Sequence, residues 1–246
     1  MTDDIAAIVL AGGESRRMGS DKSLLDWHGS TMLSRVTGIL RRVADPVVVV
    51  TAPDRATETG AGVEVAFDRA SGRGPLEGIA AGLRAVGDRR QAAFVAAVDM
   101  PFLHPAFVEG LAALLGDADV ALPEATGHRH PTAAVYRTAV LPVLERLLES
   151  GRREPAELFA RVSVRVVEPA ELTEPSSLEN LNTPEDYRVA LERPLPRVTV
   201  GGRRAAGAIL SDVWDRPGAV LLNGAVMEAV PTLPLVDGDV IDQAAA

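Results

Sequence analysis

An α/β fold with a mostly parallel sheet covered on both faces is what this chain predicts, and three observations predict it. Short apolar runs alternate with helical stretches along residues 5–192, the pattern of repeated βαβ units. Most of the strand-like runs are continuous in Ala, Val, Ile and Leu, as strands buried on both faces are. Three of them end in glycines or an aspartate, at Gly12-Gly13, Asp68 and Asp99. Ligands bind such sheets at the carboxyl ends of their strands.

The elements follow in order. Ile5–Ala11 (IAAIVLA) reads as a buried strand ending in glycines. Thr31–Val43 places Met32, Leu33, Val36, Ile39, Leu40 and Val43 at helical spacing. Val47–Thr51 and Val63–Phe67 read as strands, the second ending at Asp68. A turn, SGRGP, leads into a helix over Leu76–Val86. Ala92–Val98 is a strand stopped by Asp99-Met100-Pro101, and Pro105–Leu115 a helix. Ala118–Leu122 and Thr132–Tyr136 are two strands joined by so short a polar segment that one is expected to be antiparallel. Val140–Glu149 is helical, Val162–Val167 a strand, and Thr183–Glu192 a helix capped by Thr183 with Pro184 at its first position. Glu192–Arg197 (ERPLPR) reads as a linker. The expected division is therefore a main domain over 1–193 and a small β-rich unit over 194–246. The latter has strand-like runs at Arg197–Val200, Ala219–Leu222 and Val226–Val230, with a helical stretch at Ala205–Trp214.

Composition narrows the function. The 246 residues are 47% hydrophobic but only 4% aromatic, so the core is built from Ala, Val and Leu. A net charge of −9 lacks the basic footprint of a nucleic-acid binder. It leaves room for a local basic cleft that attracts a small anion. With no cysteine, disulfides, iron–sulfur clusters, thiolate zinc sites and a cysteine nucleophile are excluded. The acidic start, MTDD, does not suit a secretory leader, and no apolar run approaches membrane-spanning length. A soluble cytoplasmic protein with no membrane partner is expected.

The stretch LAGGESRRMGSDK, Leu10 to Lys22, concentrates glycine and positive charge at a strand end. Glycines let backbone N–H groups approach an anion closely, and Arg16, Arg17 and Lys22 add charge, a combination suited to polyphosphate. A tight turn with a solvated charge run is the structural alternative. Neither familiar phosphate loop fits. Asp21 stands where a Walker A loop needs glycine, and the glycine spacing is not G-x-G-x-x-G.

The stretch resembles the LAGGxSxRMGxDK signature of molybdenum cofactor guanylyltransferases, the MobA-like nucleotidyltransferases. GPLEGIAAGL (74–83), AAVDMPFL (96–103), HPTAAVYR (130–137) and ENLNTPEDY (179–187) match the same family in order. The resemblance covers about residues 5–192. It implies a Rossmann-like three-layer α/β/α sandwich that transfers GMP from GTP to the terminal phosphate of molybdopterin or Mo-molybdopterin, with pyrophosphate leaving and Mg²⁺ as the metal. Carried over by motif, Leu10, Ala11, Gly12 and Gly13 line the nucleotide. Lys22 meets phosphate, Asp68 and Asp99 complete the site, and Asp99 is the magnesium ligand.

The chemistry agrees with the resemblance. A phosphate monoester is largely dianionic at neutral pH, its second pKa being about 6, and needs no strong base. Catalysis then rests on positioning and on stabilising charge at the α-phosphate and the leaving pyrophosphate. Lys22, Arg17, backbone N–H groups and a Mg²⁺ held by Asp99 suit that task. Structural readings stand beside these: Asp99 capping a turn before Pro101, Asp68 a turn residue before Arg69, and Asn182 an Asx cap before a helix rather than a ligand. His128 and His130 have no third ligand nearby in sequence and make no metal site, while His130-Pro131 borders the expected pterin pocket. Arg16 is expected to face solvent and Trp27 to be structural.

GTP is the expected substrate because LAGG is the guanylyl spelling, although Glu77 in GPLEG stands where that branch often has Ala. A CTP-using molybdopterin cytidylyltransferase, or another small-phosphate nucleotidyltransferase, is the alternative within the class. A non-catalytic nucleotide or cofactor carrier is the alternative outside it. The tail, with its Asn-Gly hairpin and DGD turn, resembles β-grasp sulfur carriers, an ordinary hairpin appendage being the other reading; it ends QAAA rather than the Gly-Gly such carriers need, so no sulfur-carrying role is expected. Recruitment of molybdoenzymes or cofactor-delivery proteins is the role expected of it.

Overall fold

The computed structural model describes residues 5–12, 21–53, 59–68 and 74–244. The candidate residues Gly13 and Arg17, and Arg16 with them, lie outside the described residues. The main sheet contains β1 (Ile5–Leu10), β4 (Val47–Thr51), β5 (Val63–Phe67), β6 (Ala92–Ala97), β7 (Val120–Ala125), β9 (Ala133–Arg137) and β10 (Val164–Val167), with a two-residue β8 (His128–Arg129) hairpinned onto β7. A separate small hairpin joins β2 (Asp26–Trp27) to β3 (Ser30–Thr31). The order across the main sheet is β10-β7-β9-β6-β1-β4-β5. β1 runs parallel to both β4 and β6, while β9 is antiparallel to β6 and β7. This is the reversal that the short link between the seventh and ninth strands required.

Alternate residues of the central strands serve opposite cores, as the two-residue period of a strand demands. In β1, Ile5, Ala7 and Val9 join one cluster with Leu33, Val36, Ile39, Phe107 and Leu111, while Ala6 and Ile8 join another with Leu76, Ile79, Leu83, Leu144 and Leu147. Helices α1 (Met32–Leu40) and α3 (Pro105–Ala113) therefore cover one face, and α2 (Pro75–Val86) and α4 (Leu141–Glu149) the other. This is the expected three-layer α/β/α sandwich. Gly82 sets how closely α2 approaches: a Cβ there would sit 2.4 Å from Ile8 Cγ2. A short α5 (Pro155–Phe159) precedes β10, and α6 (Pro184–Leu191) closes the main domain. Among the described residues, no helix is long and apolar enough to cross a membrane.

Beyond α6, β11 (Arg197–Val200), β12 (Arg203–Ala206), β13 (Ala219–Leu222), β14 (Ala225–Glu228) and β15 (Val240–Gln243) form a second sheet in the order β12-β11-β15-β13-β14. Its centre is the parallel pair β11–β15, and it has its own core of Val198, Leu210, Val220, Leu222, Leu235 and Ile241. The helix expected over Ala205–Trp214 is not formed. Arg203–Ala206 instead pairs with β11 across the left-handed Gly201-Gly202 turn, leaving one 3-10 turn at Leu210–Asp212. Asp212 closes that turn by accepting from the N–H groups of Ala208 and Ile209.

The second sheet is docked on α1. Arg42 forms a two-pronged ion pair with Asp239, 2.5 and 3.1 Å, both side chains being buried. Pro234 lies over Gly38 so closely that a Cβ there would fall 2.6 Å from its Cδ.

Candidate functional site

The site gathers at the carboxyl ends of β6 and β1, and local turns explain how each side chain arrives. Asp21 Oδ1 accepts from the Ser23 N–H (3.0 Å) and Oγ (2.7 Å), capping a 3-10 turn over Lys22–Leu24. The aspartate that breaks the Walker pattern thus serves to present Lys22. The lysine Nζ lies 2.6 Å from Asp99 Oδ2 and 3.3 Å from Asn182 Oδ1. Asp99 lies two residues beyond the end of β6, and its backbone carbonyl accepts from the Leu181 N–H at 3.0 Å. That bond ties the ENLNTPED loop to the strand end. The loop is braced in turn by Asp186, which accepts from the N–H groups of Asn182 and Thr183 while Thr183 Oγ1 caps α6. The Thr183 hydroxyl, those two N–H groups and the nearby Lys22 charge hold the Asp186 carboxyl below the usual carboxylate range.

Beneath the loop, Leu181 packs with Trp27, Met32, Ala190, Phe102 and Tyr187. Trp27 meets Phe102 edge-on at 5.5 Å and is buried, the structural role expected of it.

Asp68 belongs to a second group. It ends β5, two strands from β1, and its N–H donates to the Thr51 carbonyl at 3.1 Å. It is buried, and its Oδ2 lies 3.4 Å from where a Cβ on Gly12 would sit. Gly12 therefore leaves a bare backbone against the carboxylate. Leu10 and Ala11 complete this floor: the Ala11 N–H donates to Val50 and the Leu10 carbonyl accepts from Val98. Gly74, at φ +87°, turns the chain into α2, whose Pro75 occupies the first helical position. The structure thus brings Lys22, Asp99 and Asn182 together and sets Gly12 beside Asp68.

Asp99 is suited to a divalent cation. Its Oδ1 is buried and has no hydrogen-bond partner, while Oδ2 is engaged by Lys22. Among the described residues no cluster of three or more His, Asp and Glu side chains could hold a metal. One or two carboxylates, completed by substrate phosphates and water, is how hard Mg²⁺-type ions are commonly held.

Two polar side chains near these turns were not singled out from the sequence. Asn180, within the same loop, has its Oδ1 buried without a partner. Arg153 lies 4.0 Å from Glu77 on α2, without a hydrogen bond between them. The paired asparagines of NLNTPED were the available signal for Asn180; nothing in the pattern marked Arg153. His130 stands at the margin, its N–H bonded to Pro123 and its Nε2 buried without a partner. Burial holds its imidazole below the usual histidine value.

Residues 7–166 match the family described as MobA-like NTP transferase domain. The chain is similar to the probable molybdenum cofactor guanylyltransferase of Mycobacterium tuberculosis H37Rv, 40% identical over 191 residues spanning 74% of this chain and 94% of that protein. A protein of the same description from Mycobacterium avium is 37% identical over 189 residues, 75% of this chain and 93% of the relative. Among solved structures, molybdopterin-guanine dinucleotide biosynthesis protein A from Archaeoglobus fulgidus superposes with a TM-score of 0.62 at 27% identity, covering 76% of this chain and 97% of that one. A Mycobacterium tuberculosis H37Rv protein solved in complex with manganese shares the fold at 18% identity, with a TM-score of 0.55 over 77% of this chain and 98% of that one.

Proposed function

Because the chain belongs to the MobA-like NTP transferase family, and is a nucleotidyltransferase, we propose that it transfers GMP from GTP to the terminal phosphate of molybdopterin or Mo-molybdopterin. Pyrophosphate leaves, and the product is the guanine dinucleotide of the pterin. The observation that carries this reading is the meeting of Lys22, Asp99 and Asn182 at the end of β6.

The residues act by position and charge. Lys22 and Asp99 are each mostly shielded from water, with side chains 17% and 14% exposed. In such a setting charge counts for more than at the surface. The lysine ammonium neutralises negative charge on the triphosphate, most strongly as pyrophosphate departs. Asp99, whose Oδ1 is free of other partners, is the residue that would hold Mg²⁺. Bound there, Mg²⁺ supplies a Lewis acid for phosphate oxygens and a template for in-line attack. Arg17, carried on the same signature, adds a second phosphate cation. Asn182 fixes the direction of the lysine. Asp68 and the bare Gly12 backbone, together with Gly13 from the signature and the Gly74–Gly78 segment, read the nucleoside. Guanine presents donors at N1 and N2 and an acceptor at O6, and a site built to bond these groups discriminates strongly against an analogue that lacks them.

Two further readings belong to the same proposal. Residues 1–193 are the catalytic domain and 194–246 a β-grasp-like unit; the 2-1-5-3-4 order of the second sheet, counted from its own first strand, supports this. A cytoplasmic location and an encounter with molybdoenzymes or delivery proteins fit an enzyme whose product is a cofactor.

The test is direct. Purified protein is incubated with Mg²⁺, GTP labelled at the α-phosphate, and molybdopterin. The label is expected in a pterin dinucleotide, with one pyrophosphate released per transfer. Label that remains in GTP, or is released as GMP without a pterin product, overturns the reading.

A further inference from the structure

Arg35 is the charged residue that this site does not explain. It sits on α1, only 5% exposed, and among the described residues no carboxylate forms an ion pair with it. Its guanidinium is satisfied by backbone carbonyls drawn from both parts of the molecule. Nε donates to Pro101 at 2.5 Å, Nη1 to Ala208 at 3.4 Å, and Nη1 and Nη2 to Leu235 at 3.4 Å. Pro101 is two residues from Asp99 in the turn that ends β6, whereas Ala208 and Leu235 belong to the C-terminal unit and are bonded to each other. The guanidinium also lies 5.9 Å from the ring of Trp27, beneath the Asn182 loop. Nearly the whole of each curated relative is matched by about three quarters of this chain. The family match ends at residue 166, so the C-terminal contacts of Arg35 are made by residues outside the matched domain.

We propose that Arg35 is a positioning residue through which the docked C-terminal sheet sets the turn carrying Asp99. This rests on the metal-binding role given to Asp99 above. A planar five-donor fork can hold several carbonyls in fixed relation where a lysine cannot. Burial drags the Arg35 pKa down to about 10, with Arg42 adding to the fall and Asp239 opposing it. Even so the group stays protonated at neutral pH, so a buried cation is left under-compensated whenever the sheet moves away. Movement of the sheet and movement of the Asp99–Pro101 turn are therefore linked. Linkage is reciprocal: whatever fixes the turn also tightens the docking.

The test uses the full chain and Mn²⁺ as the probe, added with GTP, and reads amide hydrogen exchange and Mn²⁺ affinity by electron paramagnetic resonance. In the unaltered protein Mn²⁺ is expected to slow exchange at 99–103 and also at the remote segment 233–239. Arg35→Met is expected to abolish the remote protection and weaken Mn²⁺ binding about 5-fold or more, the low end of ordinary couplings between sites. The KM for GTP should stay close to its original value, and Arg35→Lys should restore part of the Mn²⁺ affinity. Gly38→Ala, which pushes on Pro234 without touching Arg35 or the turn, should weaken Mn²⁺ binding in the same direction and serves if Arg35→Met does not fold. Protection confined to 99–103, or a folded Arg35→Met or Gly38→Ala with unchanged Mn²⁺ affinity, overturns the proposal while leaving the guanylyl reading intact. Absence of Mn²⁺ binding by the unaltered protein overturns both. Absence of pterin product with the coupling present overturns only the substrate assignment.

Discussion

Lys22 is the side chain on which the proposed reaction depends most. It is paired with Asp99 at 2.6 Å and held by Asn182, so the charge is already in place before substrate arrives. Removing one preorganised donor of this kind lowers turnover by about 10²–10³-fold. Lys22→Ala is therefore expected to lose that much kcat with a much smaller change in GTP affinity, read by steady-state pyrophosphate release and by equilibrium nucleotide binding. A parallel loss in both would make the lysine a simple binding residue. Two histidines are expected to give the fold a mild acid sensitivity. Burial lowers the pKa of His28 and His130 from the usual 6.5, Arg35 adding to the effect at His28 and His128 at His130. Below about pH 6.5 the unfolded chain then binds more protons than the folded one. The contribution is present above pH 6.5 and is lost as pH falls through the lower folded values. Urea midpoints measured from pH 7.5 to 5 should decline over that window. The double variant His28→Asn, His130→Gln should flatten the decline, asparagine being chosen because position 28 has φ +49°.

Helix α2 shows how an element is placed and how much of it the sequence reveals. Gly82→Ala should gain about 1 kcal/mol of helix propensity. The new Cβ would fall 2.4 Å from Ile8, and overpacking of this kind costs about 1–3 kcal/mol. A net loss of stability in urea titration is predicted, smaller than additive when combined with Ile8→Ala; a net gain would show that the helix shifts freely. The βαβ rhythm was legible because buried parallel strands are continuous apolar runs and α2 carries its own Pro75 start. The antiparallel β9 followed from link length alone. The tail was harder. Ala205–Trp214 has helical spacing, yet its first residues are captured by β11, because a Gly-Gly turn brings them into register before a helix can start. At the site, Lys22 and Asp99 were visible because each ends a motif at a strand end. Arg35 and Arg153 were not, because Arg35 bonds carbonyls distant in sequence and Arg153 approaches a carboxylate on helix α2, and no local pattern records such meetings.

Across the whole molecule, the latch is the Arg42–Asp239 pair. Asp239 is buried, and besides Arg42 it accepts from the Val236 N–H at 2.9 Å and Asn223 Nδ2 at 2.8 Å. Breaking a buried pair by removing one partner costs about 3–5 kcal/mol. Asp239→Ala is expected to lose that much in chemical denaturation, with the C-terminal sheet losing hydrogen-exchange protection before the main sheet. Loss within about 0.5 kcal/mol would mean that the pair is solvated and the docking weak.

The central claim, guanylyl transfer to a molybdopterin phosphate, is tested most directly by competition. Equal concentrations of GTP, CTP, ATP and UTP are supplied with Mg²⁺ and molybdopterin, and the dinucleotide formed is identified by mass. The account predicts the guanine dinucleotide as the dominant product, with pyrophosphate released only when the pterin is present; a dominant cytosine dinucleotide, or pyrophosphate release indifferent to the pterin, would contradict it.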